Sequence, residues 1–364
     1  MTLTPDLLAR IRSRATGYDR DNAFFADDLA ELRDAGYLAS RSLLQTARDQ
    51  RLLAAHAPAT ALGINMHLVW TGVARVLAER GDTSLDWVLD DAAAGELFAF
   101  GNSEPGNDLV LFDSLTTAET VDGGYAFTGT KIFTSLSPAW TRLGIFGRDG
   151  DQLIHGFITR ETAGWRSLDD WDTLGQRATQ SHSTVLEGAV VATERIARIL
   201  PVGPSADPFI FGIFANFLLL ISSVYAGIAD RALELSVEAA HRRTSLKNGG
   251  AAYSQDPDIR WRVADAALAV DALAPQIETL AADVDGLVDH GADWFRKLTG
   301  VKHRSTEAAR YVVDQAMRVG GGGAYRASSE LARLQRDVLA GIYHPSDTES
   351  VHSTVAANLL GPLS

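Results

Sequence analysis

Residues 125–135 read YAFTGTKIFTS, a run rich in Thr, Phe and Ile that suits an extended chain far better than a helix. It is one of six such runs between Leu97 and Val191; the others are LFAFGN, LTTAETV, RLGIFGR, QLIHGFIT and HSTVLEGAVV. Gly, Asp, Asn and Pro separate them at intervals that suit antiparallel pairing and argue against a βαβ order. The middle of the chain is therefore predicted to be a small antiparallel β-barrel or sandwich.

Both flanks are helical. Before the strands, PDLLARIRSRA opens with Pro5 in its first turn, DDLAELRDAGYL ends near Gly36, and ALGINMHLVWTGVARVLAERG runs to Gly81. After them, Ile259, Val263, Ala266, Val270, Leu273, Ile277, Leu280, Val284 and Leu287 follow a 4-3-4-3 spacing, which places one narrow seam on a long helix. Pro275 is expected to kink that helix. The predicted fold class is α+β and mainly α: an N-terminal helical domain (1–96), a middle β-domain (97–205) and a C-terminal long-helix, four-helix bundle (206–364).

Composition narrows the function. The 364 residues are 46% hydrophobic and 22% charged, which excludes low complexity and gives ample material for a core. The net charge of −13 repels phosphate backbones, so nucleic acid is not an expected partner. The chain has no cysteine; thiolate nucleophiles, disulfides and Fe–S clusters are ruled out, and redox chemistry requires a bound cofactor. The amino terminus lacks a secretory pattern, and a cytoplasmic protein is expected. Phe209 to Ala229 carries no charge over 21 residues, long enough for a bilayer. Asn216, Ser222, Ser223 and Tyr225 interrupt it, and it continues into the amphipathic DRALELSVEAAHRR, so a helix buried in a bundle is predicted rather than a membrane span.

Familiar catalytic motifs are absent: there is no HExxH and no GxxxxGK[ST], and Gly320 to Gly323 follow a helical segment rather than a strand, so they are not a dinucleotide loop. None of the nine histidines forms an i, i+4 pair, and no metal site is expected.

Five segments in order resemble the acyl-CoA dehydrogenase superfamily of flavoproteins, which includes flavin-dependent monooxygenases built on the same fold. FAFGNSEPGND (98–108) is similar to the loop beside the flavin, and YAFTGTKIFTS to the strand pair that contacts the isoalloxazine. LGQRATQS (174–181) resembles the family's LGxRxTxS turn. HRRT (241–244) matches the segment that holds the flavin pyrophosphate across a subunit interface, and AMRVGGGGAYRASSELARLQRDVLAGIY resembles the glycine turn and the RD helix before the active-site loop. The resemblance implies flavin contacts from Asn102, Ser103, Phe133, Ser135, Arg242, Thr244, Gly321 and Gly322. A flavin ring needs an apolar wall and hydrogen-bonding groups along its edge, and Phe133 with Ser103 and Ser135 suits both needs. The implied cofactor is FAD, or FMN in a monooxygenase, and the implied assembly is a homodimer or homotetramer.

The same comparison exposes departures. The glutamate expected after the tyrosine that ends the RD helix is missing; Tyr343 is followed by His344, Pro345, Ser346 and Asp347. NFLLLISSVY (216–225) offers no acidic substitute. The leading expectation is a divergent dehydrogenase that oxidises a Cα–Cβ bond, with His344 as base, Tyr343 beside it, and Glu349 or Asp347 tuning the imidazole. The alternative is a two-component monooxygenase that uses reduced flavin and O2 through a C4a-hydroperoxide, with His344 or His67 orienting the reactants. A catalytically silent flavin-binding or assembly protein is the third reading. A small-molecule substrate is expected, with a flavin reductase or an electron-transfer flavoprotein as redox partner.

Overall fold

The computed structural model describes residues 2–361 and Leu363. Five helices come first: α1 (Pro5–Asp21), α2 (Ala26–Asp34), α3 (Leu43–Ala54), α4 (Pro58–Ala78) and α5 (Asp86–Ala93). The N-termini of α1 and α3 are capped by side chains. Thr4 accepts from the Leu7 amide ahead of Pro5, and Asn22 ends α1 in a left-handed conformation. Eight strands follow: β1 (Phe98–Gly101), β2 (Thr117–Val121), β3 (Gly124–Lys131), β4 (Arg142–Asp149), β5 (Gln152–Thr159), β6 (Trp165–Ser167), β7 (Thr184–Ala192) and β8 (Ile196–Pro201).

The sheet order is β6-β7-β3-β2-β4-β5-β8, with β1 also on β4. Two pairings correct the antiparallel expectation. β1 runs parallel to β4 from Phe98↔Arg142 to Gly101↔Ile145, and β2 meets β4 in parallel at Thr117↔Arg148. The connection from β1 to β4 runs through the β2–β3 hairpin, long enough to return in parallel without a crossover helix. The short β6 and the Arg-containing β8 fall outside the six runs read as strands. The outer strands β6 and β8 do not pair with each other, so the sheet is open rather than a closed barrel.

The last third contains α6 (Pro208–Arg242), a two-residue pair β9 (Thr244–Ser245) and β10 (Ala251–Ala252), α7 (Pro257–Asp271), α8 (Leu273–Asp285), α9 (Asp293–Gly320), α10 (Glu330–Asp337) and α11 (Thr348–Leu360). The heptad seam is real but lies on two helices. The helix breaks at Ala272, because Pro275 removes one amide and its ring opposes the Asp271 carbonyl. Ala266, Val270, Leu273, Ile277, Leu280 and Val284 are buried, whereas Leu287 lies beyond α8 and is exposed. Two helices, α4 and α6, are long and apolar enough to cross a bilayer, yet 89% and 83% of their most apolar windows are buried inside the protein. They are core helices, on which one continuous hydrophobic cluster from Leu3 to Val338 is assembled.

Candidate active site

The loop after β1, the bend after β3 and the loop after α10 converge on one cavity of about 1420 Å³, closed by α6, α9 and α11. A single drug-sized ligand needs roughly 300–1,000 Å³. The space is large enough for a cofactor and a second small molecule.

Glu104 anchors the first loop. Its carboxylate accepts from Lys131 Nζ at 2.6 Å, Ser114 Oγ at 2.7 Å, Thr116 Oγ1 at 2.6 Å and the Leu115 amide at 2.7 Å, while Lys131 also donates to the Phe146 carbonyl. Burial alone would raise this carboxyl, but Lys131 and the hydroxyls outweigh it and hold it at about 2. The loop is thus tied to β3 and β4 by a buried ion pair, and Asn102 and Ser103 sit at the cavity. Asn102 Oδ1 is buried and has no partner.

The bend departs from the strand expected there. β3 ends at Lys131, and Phe133 and Leu136 take positive φ of 59° and 66°. Amides of Thr134, Leu136 and Ser137 donate to the carbonyls of His182, Thr179 and Gln180, which holds the bend against the 174–182 turn. So constrained, Phe133 is 54% exposed, with its ring edge-on to Trp171 and the centroids 6.2 Å apart. Below it runs a row of hydroxyls, Ser135 to Ser181 at 2.8 Å and Ser181 to Thr179 at 2.7 Å.

The 174–182 turn docks in its turn on α10. Gly175 has no room for a side chain, since a Cβ would lie 2.3 Å from the Arg336 carbonyl oxygen. The Gln176 amide donates to Asp337 Oδ1 at 2.6 Å, and Arg336 bonds the Leu174 carbonyl and Asp19. Burial pushes the Asp337 carboxyl up to about 6 despite Arg333 nearby.

Tyr343 and His344 line the cavity from the third segment. Tyr343 is exposed; His344 packs near Tyr225, with ring centroids 5.9 Å apart, and its Nε2 is buried without a partner. Burial and then Lys302 push the imidazole down to about 3, so it is neutral. The expected tuning by Glu349 or Asp347 is not found. Asp347 caps α11 through the Ser350 amide, Glu349 is exposed in the first turn of α11, and neither hydrogen-bonds to His344. His67 does not serve the cavity either; it is buried between the Leu38 carbonyl and the Phe98 amide and pushed down to about 4 by burial.

Arg242, Thr244, Gly321 and Gly322 do not line this cavity. Ile221 of α6 does, and Arg242 lies 21 residues further along the same helix, roughly 30 Å away at 1.5 Å per residue. Gly321 sits near Arg243, against whose guanidinium a Cβ would pack at 2.6 Å, so this second group gathers at the far end of the bundle.

Trp171, Lys302 and the Glu104–Lys131 pair are site elements the sequence reading missed. Lys302 had a signal: it lies on the apolar face of α9 with Leu298, Val301, Thr306 and Ala309, where a cation needs acceptors. Trp171 had none, as it reads as one aromatic in a polar loop.

Residues 219–346 match the family described as acyl-CoA dehydrogenase, C-terminal domain. The chain is 27% identical to a putative acyl-CoA dehydrogenase, YdbM, of Bacillus subtilis (strain 168), over 93% of this chain and 91% of that protein. Residues 219–346 thus carry an acyl-CoA dehydrogenase C-terminal domain, and the chain as a whole is similar to acyl-CoA dehydrogenases. The chain is also 28% identical to L-evernosamine nitrososynthase of a Micromonospora species, over 60% of this chain and 53% of that protein. The structure of KijD3 in complex with dTDP superposes with a TM-score of 0.83 at 25% identity, covering 98% of this chain and 94% of that one.

Proposed function

We propose that this flavin-dependent oxidoreductase is a monooxygenase that acts on a small molecule with reduced flavin and O2. One observation carries the reading: no carboxylate in the cavity is set up as a base for removing a proton from carbon. Of the four that line it, Glu104 is locked to Lys131, Asp347 caps α11, and Asp108 and Glu349 are exposed. His344, pushed down to about 3, is far from the operating pH that a general base requires. A dehydrogenase that oxidises a Cα–Cβ bond needs such a base, whereas oxygen transfer from a reduced flavin does not.

The residues present fit a flavin. The partnerless acceptor Asn102 Oδ1 suits a ring N–H, the Ser135, Ser181 and Thr179 hydroxyls suit ring oxygens and nitrogens, and Phe133 with Trp171 forms an aromatic wall. A flavin bound there supplies, once reduced, the two electrons for activating O2. Phe112, Phe214, Phe217 and Phe295 form the opposite wall, which excludes water and receives the apolar part of a substrate. Tyr343 and neutral His344 orient its polar end.

Arg242, Thr244, Gly321 and Gly322 cannot reach this cavity from their own chain, so in our reading a second copy brings them to the flavin phosphates. The apolar surface beside them supports an assembly of copies: Leu246 is 97% exposed, Trp261 75% and Leu268 71%. FMN or FAD would meet this clamp, and a flavin reductase would be the redox partner.

The test is anaerobic photoreduction of the flavin-loaded protein, followed by admission of air. A transient spectrum distinct from oxidised and reduced flavin, with label from 18O2 entering the product, is expected. Bleaching of the oxidised protein by acyl-CoA esters without O2 would instead establish the dehydrogenase.

A further inference from the structure

Lys302, in the middle of α9, is a buried cation that the proposed chemistry does not use. Its ammonium faces only carbonyls. Nζ donates to Gly341 at 3.0 Å, to His344 at 2.7 Å and to Ser346 at 2.7 Å. An ammonium has three N–H donors, and all three are engaged with one short loop. Those carbonyls bracket Tyr343 and His344, two of the residues with which this loop lines the cavity. The loop has little else to define it. Among the described residues, His344 makes no side-chain hydrogen bond, Tyr343 is exposed, and α11 beyond it buries only Val351.

We propose that Lys302 is a positioning residue: its three-point contact fixes the 341–346 backbone, and through it sets where Tyr343 and His344 stand over the bound reactants. The proposal rests on the monooxygenase reading of the cavity. A neutral side chain of the same length, as in Lys302→Met, fills the space but leaves three carbonyls unanswered. The loop then samples several conformations, and the imidazole no longer stands in one place. Because sub-ångström placement governs orientation effects on rate, the loss belongs to chemistry rather than to cofactor affinity.

Hydrogen exchange and a double-mutant cycle together test this in the full chain. In Lys302→Met, exchange across residues 341–347 should rise about tenfold while the 174–182 turn is unchanged, and flavin affinity should stay within twofold of wild type. The rate at which the photoreduced, flavin-loaded protein reacts with O2 is then compared in Lys302→Met, His344→Ala and the double variant. Positioning predicts that the loss in the double variant is smaller than the sum of the two single losses, because the His344 share is counted once. Additive losses, or unchanged exchange in the loop, would overturn the proposal. If Lys302→Met does not fold, Lys302→Gln, which keeps two donors, replaces it with the same expected pattern at smaller amplitude. Exchange is measured without flavin, so a failure of flavin binding would count against the monooxygenase reading while the loop result still decides the role of Lys302.

Discussion

Asn102 Oδ1 is the single atom on which the proposed cofactor site bears most directly. It is buried and partnerless in a chain whose Glu104 carboxylate, two residues on, is saturated with donors. Leaving an acceptor unpaired costs about 1–3 kcal/mol, and a ligand N–H removes that cost. Asn102→Leu should therefore weaken flavin binding about tenfold, roughly 1.4 kcal/mol, without lowering the melting temperature of the flavin-free protein. Titration of the apoprotein with flavin measures the first and calorimetry the second; unchanged affinity would take Asn102 out of the site. The residue was legible in the sequence through its place in FAFGNSEPGND. Its missing partner was not, because hydrogen-bond satisfaction depends on segments far apart in the chain. The same holds for His344: its place after Tyr343 could be read, but its neutral state comes from burial and from Lys302.

Strands, helices and most of the core were legible because their signals are local: Thr- and Phe-rich runs, a first-turn proline such as Pro5, and the 4-3-4-3 seam. The bend at Phe133 was not. Nothing local forbids YAFTGTKIFTS from continuing as a strand; three amides bonded to the 179–182 segment turn it out of the sheet. The parallel course of β1 against β4 is likewise a tertiary outcome. The Glu104–Lys131 pair that ties this layer together leads to a prediction at this scale. Lys131→Met strands a carboxylate in the interior and should cost about 3–5 kcal/mol, while adding Glu104→Gln should recover part of that loss. Urea unfolding of the two variants checks it. Equal stability of the single and double variants would mean that the hydroxyls around Glu104, rather than Lys131, hold its charge.

At the scale of the whole molecule, burial of ionisable groups sets the response to acid. His67 at about 4, and His155 and His344 at about 3, are neutral in the fold; an unfolded histidine titrates near 6.5. Their contribution is therefore full above about pH 6.5 and is lost as the pH falls toward the folded values. Asp28 and Asp337, raised by burial to about 6, act in the opposite sense, since their cost fades over the same range. His56 and His303 are lowered by burial and Asp230 is raised by it, in the same senses, so histidines outnumber the raised carboxyls and stability falls as the pH drops from about 6 to 4. Urea midpoints at pH 7, 5.5 and 4.5 should fall accordingly, and a flat series would contradict neutral burial of the histidines.

The proposed assembly of copies would also act at the scale of the whole molecule. The cavity and the Arg242–Thr244 corner stand at opposite ends of α6, so if both hold flavin, a single chain cannot complete its own site. Trp261 and Leu268 lie seven residues apart on one face of α7, exposed, near the end that carries Arg242 and Thr244. A Trp261→Glu, Leu268→Glu double variant should pass from dimer or tetramer to monomer in analytical ultracentrifugation. It should lose flavin affinity in parallel, although it alters no residue of the cavity. Restoring affinity by raising protein concentration would tie the two losses together through mass action. A monomer that binds flavin as tightly as wild type would show instead that the cavity of one chain suffices and that Arg242 and Thr244 serve another purpose.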